Sequence, residues 1–228
     1  MYHAKAEGRN THEFYTPDMN AQAPGRLDVE AQLRRALERQ EFVLHYQPRV
    51  TVKGEKIVGA EALLRWRNPE LGMVPPADFI PLAEENGLIV PIGEWVLASA
   101  CMQAKTWQRD GRSLAVAVNL SPRQFRQRDL IETVQRALAA SGLAPRCLEL
   151  EITESMIMHH SEQTIATLRR LHDMGVKLSV DDFGTGYSSL SYLKRFPVHT
   201  LKVDKSFVRE IHESADDAAI VRAVIALA

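Results

Sequence analysis

Leu148-Glu149-Leu150-Glu151-Ile152-Thr153 decides the fold. Successive side chains of a strand point to opposite faces, so Leu148, Leu150 and Ile152 share one face while Glu149, Glu151 and Thr153 share the other. The same split recurs along the chain. Val116, Val118 and Leu120 oppose Ala115, Ala117, Asn119 and Ser121; Leu201 and Val203 oppose Lys202 and Asp204. Ala60, Ala62, Leu64 and Trp66 oppose Glu61, Leu63 and Arg65, and Gln47 lies with His45. An open doubly wound sheet covers both faces with helices, and buried unpaired charge is costly, so it would not tolerate that many polar groups. A barrel does. Helices cover the apolar faces, and the polar faces converge on the lumen and its mouth, where the sites of (β/α)8 barrels lie.

The surrounding sequence supplies the alternation that such a barrel needs. β-rich runs stand at Phe42–Val50, Lys56–Trp66, Leu114–Leu120, Leu148–Thr153, Lys177–Asp181 and Thr200–Asp204. Most are separated by amphipathic segments of helix length: Pro76–Asn86, Pro91–Arg109, Arg128–Ser141, Ser161–Met174 and Ala215–Ala228. Another helix runs from Asp28 to before Phe42, with Val29, Leu33, Ala36 and Leu37 on one face. Strand then helix, repeated, is the parallel α/β pattern. Residues 1–25 are polar, hold two of the eight histidines and end in Pro24-Gly25, which sets them apart as a separate piece with a linker.

Composition narrows the function. The 228 residues carry 28 Lys+Arg against 29 Asp+Glu, a net charge of −1, so no overall field draws the chain to nucleic acid or anionic lipid. Any phosphate chemistry must come from a local site. Cys101 and Cys147 form no CxxC or Cys/His pattern, which suggests neither a zinc site nor a disulfide scaffold and fits a reducing cytoplasmic setting. The apolar stretch Ala218–Ala228 is too short to span a bilayer and contains Arg222. No membrane contact is expected from this segment, and any anchor would lie outside it.

Glu61, Asn119, Glu151 and Asp181 fall on the inner faces of four successive strands, joined by Asp182 and then by Lys202 on the next. Oxygen ligands suit Mg2+ or Mn2+ rather than zinc, and carboxylates at close range resist ionisation without cations between them. Two divalent ions would balance them, and paired metals are a general device for in-line phosphoryl displacement. Arg65, four residues after Glu61 on the same face, is placed to pair with a phosphate. Taken singly, each residue has a plainer role: Glu61, Glu151 or Lys202 as an ion-pair partner, and Asp181-Asp182 before Phe-Gly-Thr-Gly as a turn. Conjunction favours the metal reading. His159-His160 does not join it, because adjacent side chains diverge. Glu154 has two readings, a cap for the following segment or a brace for a ligand loop. An enolase-like barrel, with Mg2+ carboxylates and a proton-abstracting Lys, is a second reading of the residues. The Asp181-Asp182 pair and Asn119 favour two metals over it.

Glu61-Ala62-Leu63-Leu64-Arg65-Trp66 resembles the signature of EAL-domain cyclic di-GMP phosphodiesterases. So do Tyr46-Gln47-Pro48, Val118-Asn119-Leu120-Ser121, Glu149 to Ser155, Asp181 to Leu190 and Leu201-Lys202-Val203-Asp204, in family order from about residue 27 onward. The resemblance implies a TIM-like barrel over 26–228 and hydrolysis of cyclic di-GMP to linear pGpG. It implies that Glu61, Asn119, Glu151 and Asp181 hold one metal, with Asp181 bridging to a second that Asp182 also holds. Lys202 would orient or deprotonate the water, and Gln47, Arg65 and Asp204 would contact the dinucleotide. Glu154 would brace the Asp182-to-Leu190 loop, which in this family bears on metal binding and dimerisation, so a homodimer is expected of the complete protein. The other outcome within the family is a non-catalytic module that binds cyclic di-GMP; intact ligand positions favour the enzyme.

Met1 to Asn10 resembles the last helix and turn of a GGDEF diguanylate cyclase domain, implying such a domain upstream in the same polypeptide. The family also carries a later metal-binding Glu in an AEGVE-like motif and a Gln that contacts guanine; this sequence ends at Ala228 before either. A complete barrel needs about 250 residues, whereas six strands are legible here. The expectation is therefore a barrel lacking its last strands, with the second metal held loosely or not at all.

Overall fold

The computed structural model describes residues 28–112, 114–158, 162–184 and 196–227. The 1–25 segment, His159-His160 and the 185–190 part of the loop singled out above lie outside the described residues. A helix over 28–36 (α1) leads into β1 (Phe42–Val50), β2 (Ile57–Asn68) and β3 (Gly72–Val74). Helices Pro76–Asn86 (α2) and Ile89–Arg109 (α3) follow, then β4 (Ala115–Asn119), Pro122–Phe125 (α4) and Leu130–Ser141 (α5). The remainder is β5 (Leu148–Thr153), Glu154–Met158 (α6), Glu162–Asp173 (α7), β6 (Lys177–Phe183), β7 (Thr200–Val203), Lys205–Arg209 (α8) and Ala215–Leu227 (α9).

The sheet order is β1-β2-β4-β5-β6-β7, with β3 pairing β2. Every step from β2 to β7 is parallel, but β1 is antiparallel to β2. The reversal follows from the short link between them: a parallel crossover needs a dozen or more residues, and here Gly54 N donates to Thr51 O at 2.7 Å in a turn with Gly54 at φ 70°. The three-residue strand β3 has no expectation behind it, because so short a run carries too little alternation to read. Strand boundaries otherwise lie within two residues of the sequence reading, and α3 starts at Ile89 rather than Pro91.

The sheet is curled. β2 and β7 are four steps apart, about 19 Å in a flat sheet at about 4.8 Å per step, yet Lys202 Nζ on β7 lies 3.2 Å from Glu61 Oε2 on β2. β1 and β5 are three steps apart, and Arg49 Nη1 lies 2.9 Å from Glu149 Oε1. Those contacts cross the inside of the curve, as a TIM-like barrel requires.

The apolar core lies between the outer sheet face and the helices. Trp66, Leu148, Leu150, Ile152 and Leu178 from the strands meet Leu33, Phe79, Ile92, Leu97, Leu168 and Leu171 from the helices, all fully or almost fully buried. Trp66 packs edge-on against Phe79 with ring centroids 5.6 Å apart, and its Nε1 donates to the buried Glu41 carboxylate at 2.8 Å. Burying such rings contributes about 2–3 kcal/mol each. Among the described residues no single helix is long and apolar enough to cross a membrane.

Candidate active site

Register sets the inner row of side chains. Gln47 stands opposite Glu61, Glu61 is level with Ala117, Asn119 with Glu151, and Thr153 with Asp181. The row Glu61, Asn119, Glu151, Asp181 thus climbs two residues between β2 and β4 and two more between β5 and β6. This is the stagger that strand tilt imposes in a barrel, and it brings the four side chains to one level.

Lys202 completes the row from β7. Its Nζ donates to Glu151 Oε2 at 2.5 Å, to Asp181 Oδ2 at 2.9 Å and to Glu61 Oε2 at 3.2 Å. Asn119 Nδ2 donates to Glu61 Oε1 at 2.8 Å. One ligand atom from each of Glu61, Glu151 and Asp181 lies within 4.8 Å of the others, so a single cation could touch all three. These donors fit a hard divalent ion: they are oxygens only, and Glu151 Oε1 is buried with no hydrogen-bond partner among the described residues.

Asp181 and Asp182 do not form a turn. Val180 pairs with Leu201 and Phe183 with Val203, so β6 carries one residue more than β7 over this stretch. Both aspartates sit in the resulting bulge, opposite Lys202, with Asp182 at φ 53°. The bulge separates their positions. Asp181 joins the cluster, whereas Asp182 is exposed and is not among the carboxylates that converge. The Asp182 carboxyl is raised above its ordinary value by partial burial, then by the Asp181 charge and a hydrogen bond to Asp204. Asp204 is itself engaged as the cap of α8, its Oδ1 accepting from Ser206 N at 2.8 Å.

Glu154 is buried, and its Oε2 accepts from Gly184 N at 3.0 Å, linking the start of α6 to the residue after β6. Gln47 is exposed beside Glu61, and half-buried Arg65 donates from Nη1 to Leu64 O at 2.8 Å. Both line the inner face.

Arg49 is the residue that sequence reasoning missed. It lies two positions after Gln47, hence on the same face, and its Nη1 stands 2.9 Å from Glu149 Oε1 and 3.7 Å from Glu151 Oε1. Neither oxygen has an aligned hydrogen bond, so the attraction is of charge rather than of geometry. The alternation Gln47, Arg49 was the available signal, but its partner lies three strands away.

The electrostatics follow from burial. Burial raises Glu151 to about 7; Lys202 opposes the rise, and the charges of Glu61 and Asp181 add to it. Burial also disfavours charged Lys202, but hydrogen bonds to Glu151 and Asp181 and the charges of Glu151 and Glu61 outweigh it, so its pKa is raised and it stays an ammonium. The site is a carboxylate cluster around a permanent cation, open at its mouth.

The EAL domain family matches residues 30–228. Among curated proteins, the chain is 49% identical over 228 residues to MucR of Pseudomonas aeruginosa, named a bifunctional diguanylate cyclase/cyclic di-GMP phosphodiesterase; the match covers 100% of this chain and 33% of MucR. It is 41% identical over 228 residues to the cyclic di-GMP phosphodiesterase PdeR of Escherichia coli, covering 100% of this chain and 34% of PdeR. The chain therefore spans about a third of these relatives. A solved structure described as PaMucR phosphodiesterase in complex with c-di-GMP superposes with a TM-score of 0.85 at 49% identity, over 88% of this chain and 81% of that one.

Proposed function

We propose that this chain, which belongs to the EAL domain family, acts as a metal-dependent phosphodiesterase that opens cyclic di-GMP to linear pGpG. One observation carries the reading: Glu61, Asn119, Glu151, Asp181 and Lys202 meet at a single point although β2 and β7 are four steps apart in the sheet. Glu61, Asn119, Glu151 and Asp181 would hold one divalent ion, Mg2+ or Mn2+, and Asp181 with Asp182 would serve a second. Such ions neutralise charge on a phosphodiester and acidify a water. Asn119 would present its amide oxygen to the ion, a half-turn of the amide from its present bond to Glu61.

The chain's own groups do the rest. Lys202 holds and orients the attacking water against the phosphodiester, Arg65 pairs with a phosphate oxygen through its planar fork, and Gln47 and Asp204 contact the dinucleotide. Glu154 fixes the strand end that carries Asp181 and Asp182, through Gly184. The naming of MucR as a diguanylate cyclase as well as a phosphodiesterase supports a further reading of the complete protein, a GGDEF domain upstream in the same polypeptide.

The test is incubation with cyclic di-GMP and Mg2+ or Mn2+, followed by chromatography for pGpG. Cyclic di-GMP bound but never opened, with metal present, would refute the enzyme and leave a non-catalytic binding module.

A further inference from the structure

We propose that the Lys202 ammonium is a resident cation of the carboxylate cluster, which a divalent metal must displace in order to bind. Nζ sits 2.5 Å from Glu151 Oε2, 2.9 Å from Asp181 Oδ2 and 3.2 Å from Glu61 Oε2. These belong to the same three residues whose ligand atoms lie within 4.8 Å of one another. A Mg2+ ion binds oxygen at about 2.1 Å, so an ion on those oxygens would fall within contact range of Nζ. Ammonium and metal carry the same sign and occupy the same space. The two states are therefore exclusive.

The surroundings make the exchange feasible in one direction. Glu151 is closed off below, with its side chain fully buried and its Oε1 turned towards Arg49 at 3.7 Å. Glu61, Asp181 and Lys202 each keep about a fifth of their side chain exposed on the mouth side: 18%, 23% and 24%. That exposed side offers Lys202 a way out. Asp182, whose carboxylate is within range of the lysine charge, faces the same bulge and offers the displaced ammonium a second partner.

Two consequences follow for the isolated chain. Metal affinity is set by the difference between ion and lysine in the same nest, so it is lower than the carboxylates alone would give. Metal entry also moves Lys202 from a counter-ion position to the mouth. On the phosphodiesterase reading, that is where the water and the phosphodiester are, so loading and activation become one event.

Titration calorimetry with Mn2+ alone, without dinucleotide, tests the exclusion. Lys202→Met should bind Mn2+ at least tenfold more tightly than the parent, because the competitor is gone. Equal or weaker binding by a variant with an unchanged circular dichroism spectrum overturns the proposal. The parent supplies a second measurement if the variant does not fold: Mn2+ should raise acetylation of Lys202 by acetic anhydride, read by peptide mass spectrometry. Protection or no change would equally overturn it. Hydrolysis of cyclic di-GMP by the parent is scored separately. Absent turnover with tighter Mn2+ binding in the variant would sink the phosphodiesterase reading and leave the lysine exchange standing.

Discussion

Glu151→Gln, studied without metal, puts the electrostatic account at risk. Glu151 is fully buried and its carboxyl is raised from 4.5 to about 7, principally by burial. In the unfolded chain the group ionises near its ordinary value, so between about pH 4.5 and 7 the folded state binds the extra proton. Stability must then fall as pH rises through that window, at about 1.4 kcal/mol per pH unit, and level off above it. The total is about 3 kcal/mol. Below the window the neutral carboxyl resembles the amide of Gln, and parent and variant should be nearly equally stable. At pH 8 in excess EDTA the variant should be more stable by up to about 3 kcal/mol. Urea unfolding of both proteins at pH 5, 6, 7 and 8 gives the difference, in which the titrations of groups remote from Glu151 cancel. A difference that is flat with pH, or that turns against the variant as pH rises, refutes the claim that Glu151 is held out of water at a net cost.

Glu61→Ala should abolish hydrolysis while changing unfolding free energy by no more than about 1 kcal/mol, since the residue is partly exposed and its loss relieves carboxylate repulsion; an unfolded variant would make Glu61 structural. Arg49→Met leaves Glu149 and Glu151 facing an empty position and should cost about 2–3 kcal/mol, at or below the low end for breaking a buried pair because the guanidinium is partly exposed. Adding Glu149→Gln should recover much of that in urea unfolding, and an additive double variant would dismiss the pair. Gly93→Ala would drive a Cβ into the Gln124 side-chain amide and disturb the capping box that Gln124 forms with Ser121, costing about 1–3 kcal/mol. Combining it with Gln124→Ala should cost less than the sum of the two single changes.

Alternation within β5 was enough to place Glu149 and Glu151 inside and Leu148, Leu150 and Ile152 outside, because side-chain direction in a strand is a local property. The same rule placed Gln47 with Glu61, which the register pairs directly. Two features escaped it. The pairing of Arg49 with Glu149 depends on how far the sheet curls between β1 and β5, and no single strand encodes that distance. The bulge at Asp181-Asp182 depends on β6 carrying one residue more than β7, a relation between two strands that the Asp-Asp-Phe-Gly sequence disguises as a turn. Consequently Asp181 converges with Glu61 and Glu151, while Asp182, expected to hold a second ion with Asp181, sits apart from those three.

Arg49 and Lys202 come from β1 and β7, the two ends of the sheet order, and both reach the same carboxylate in its middle. Arg49 faces Glu151 Oε1 and Lys202 faces Oε2. Each attraction draws one end of the sheet inward, so the charges that make the site also favour the curl that assembles it. The arrangement is not the most stable one available to the fold: burying paired charges rarely outperforms apolar packing of equal volume, and Glu151 keeps an oxygen without a hydrogen bond. A barrel selected for stability alone would put a methionine or leucine at position 151. Retaining a buried carboxylate there, bracketed by two cations that cannot fully satisfy it, leaves an unmet demand for positive charge at one point of the lumen, and a divalent ion is the group that meets it.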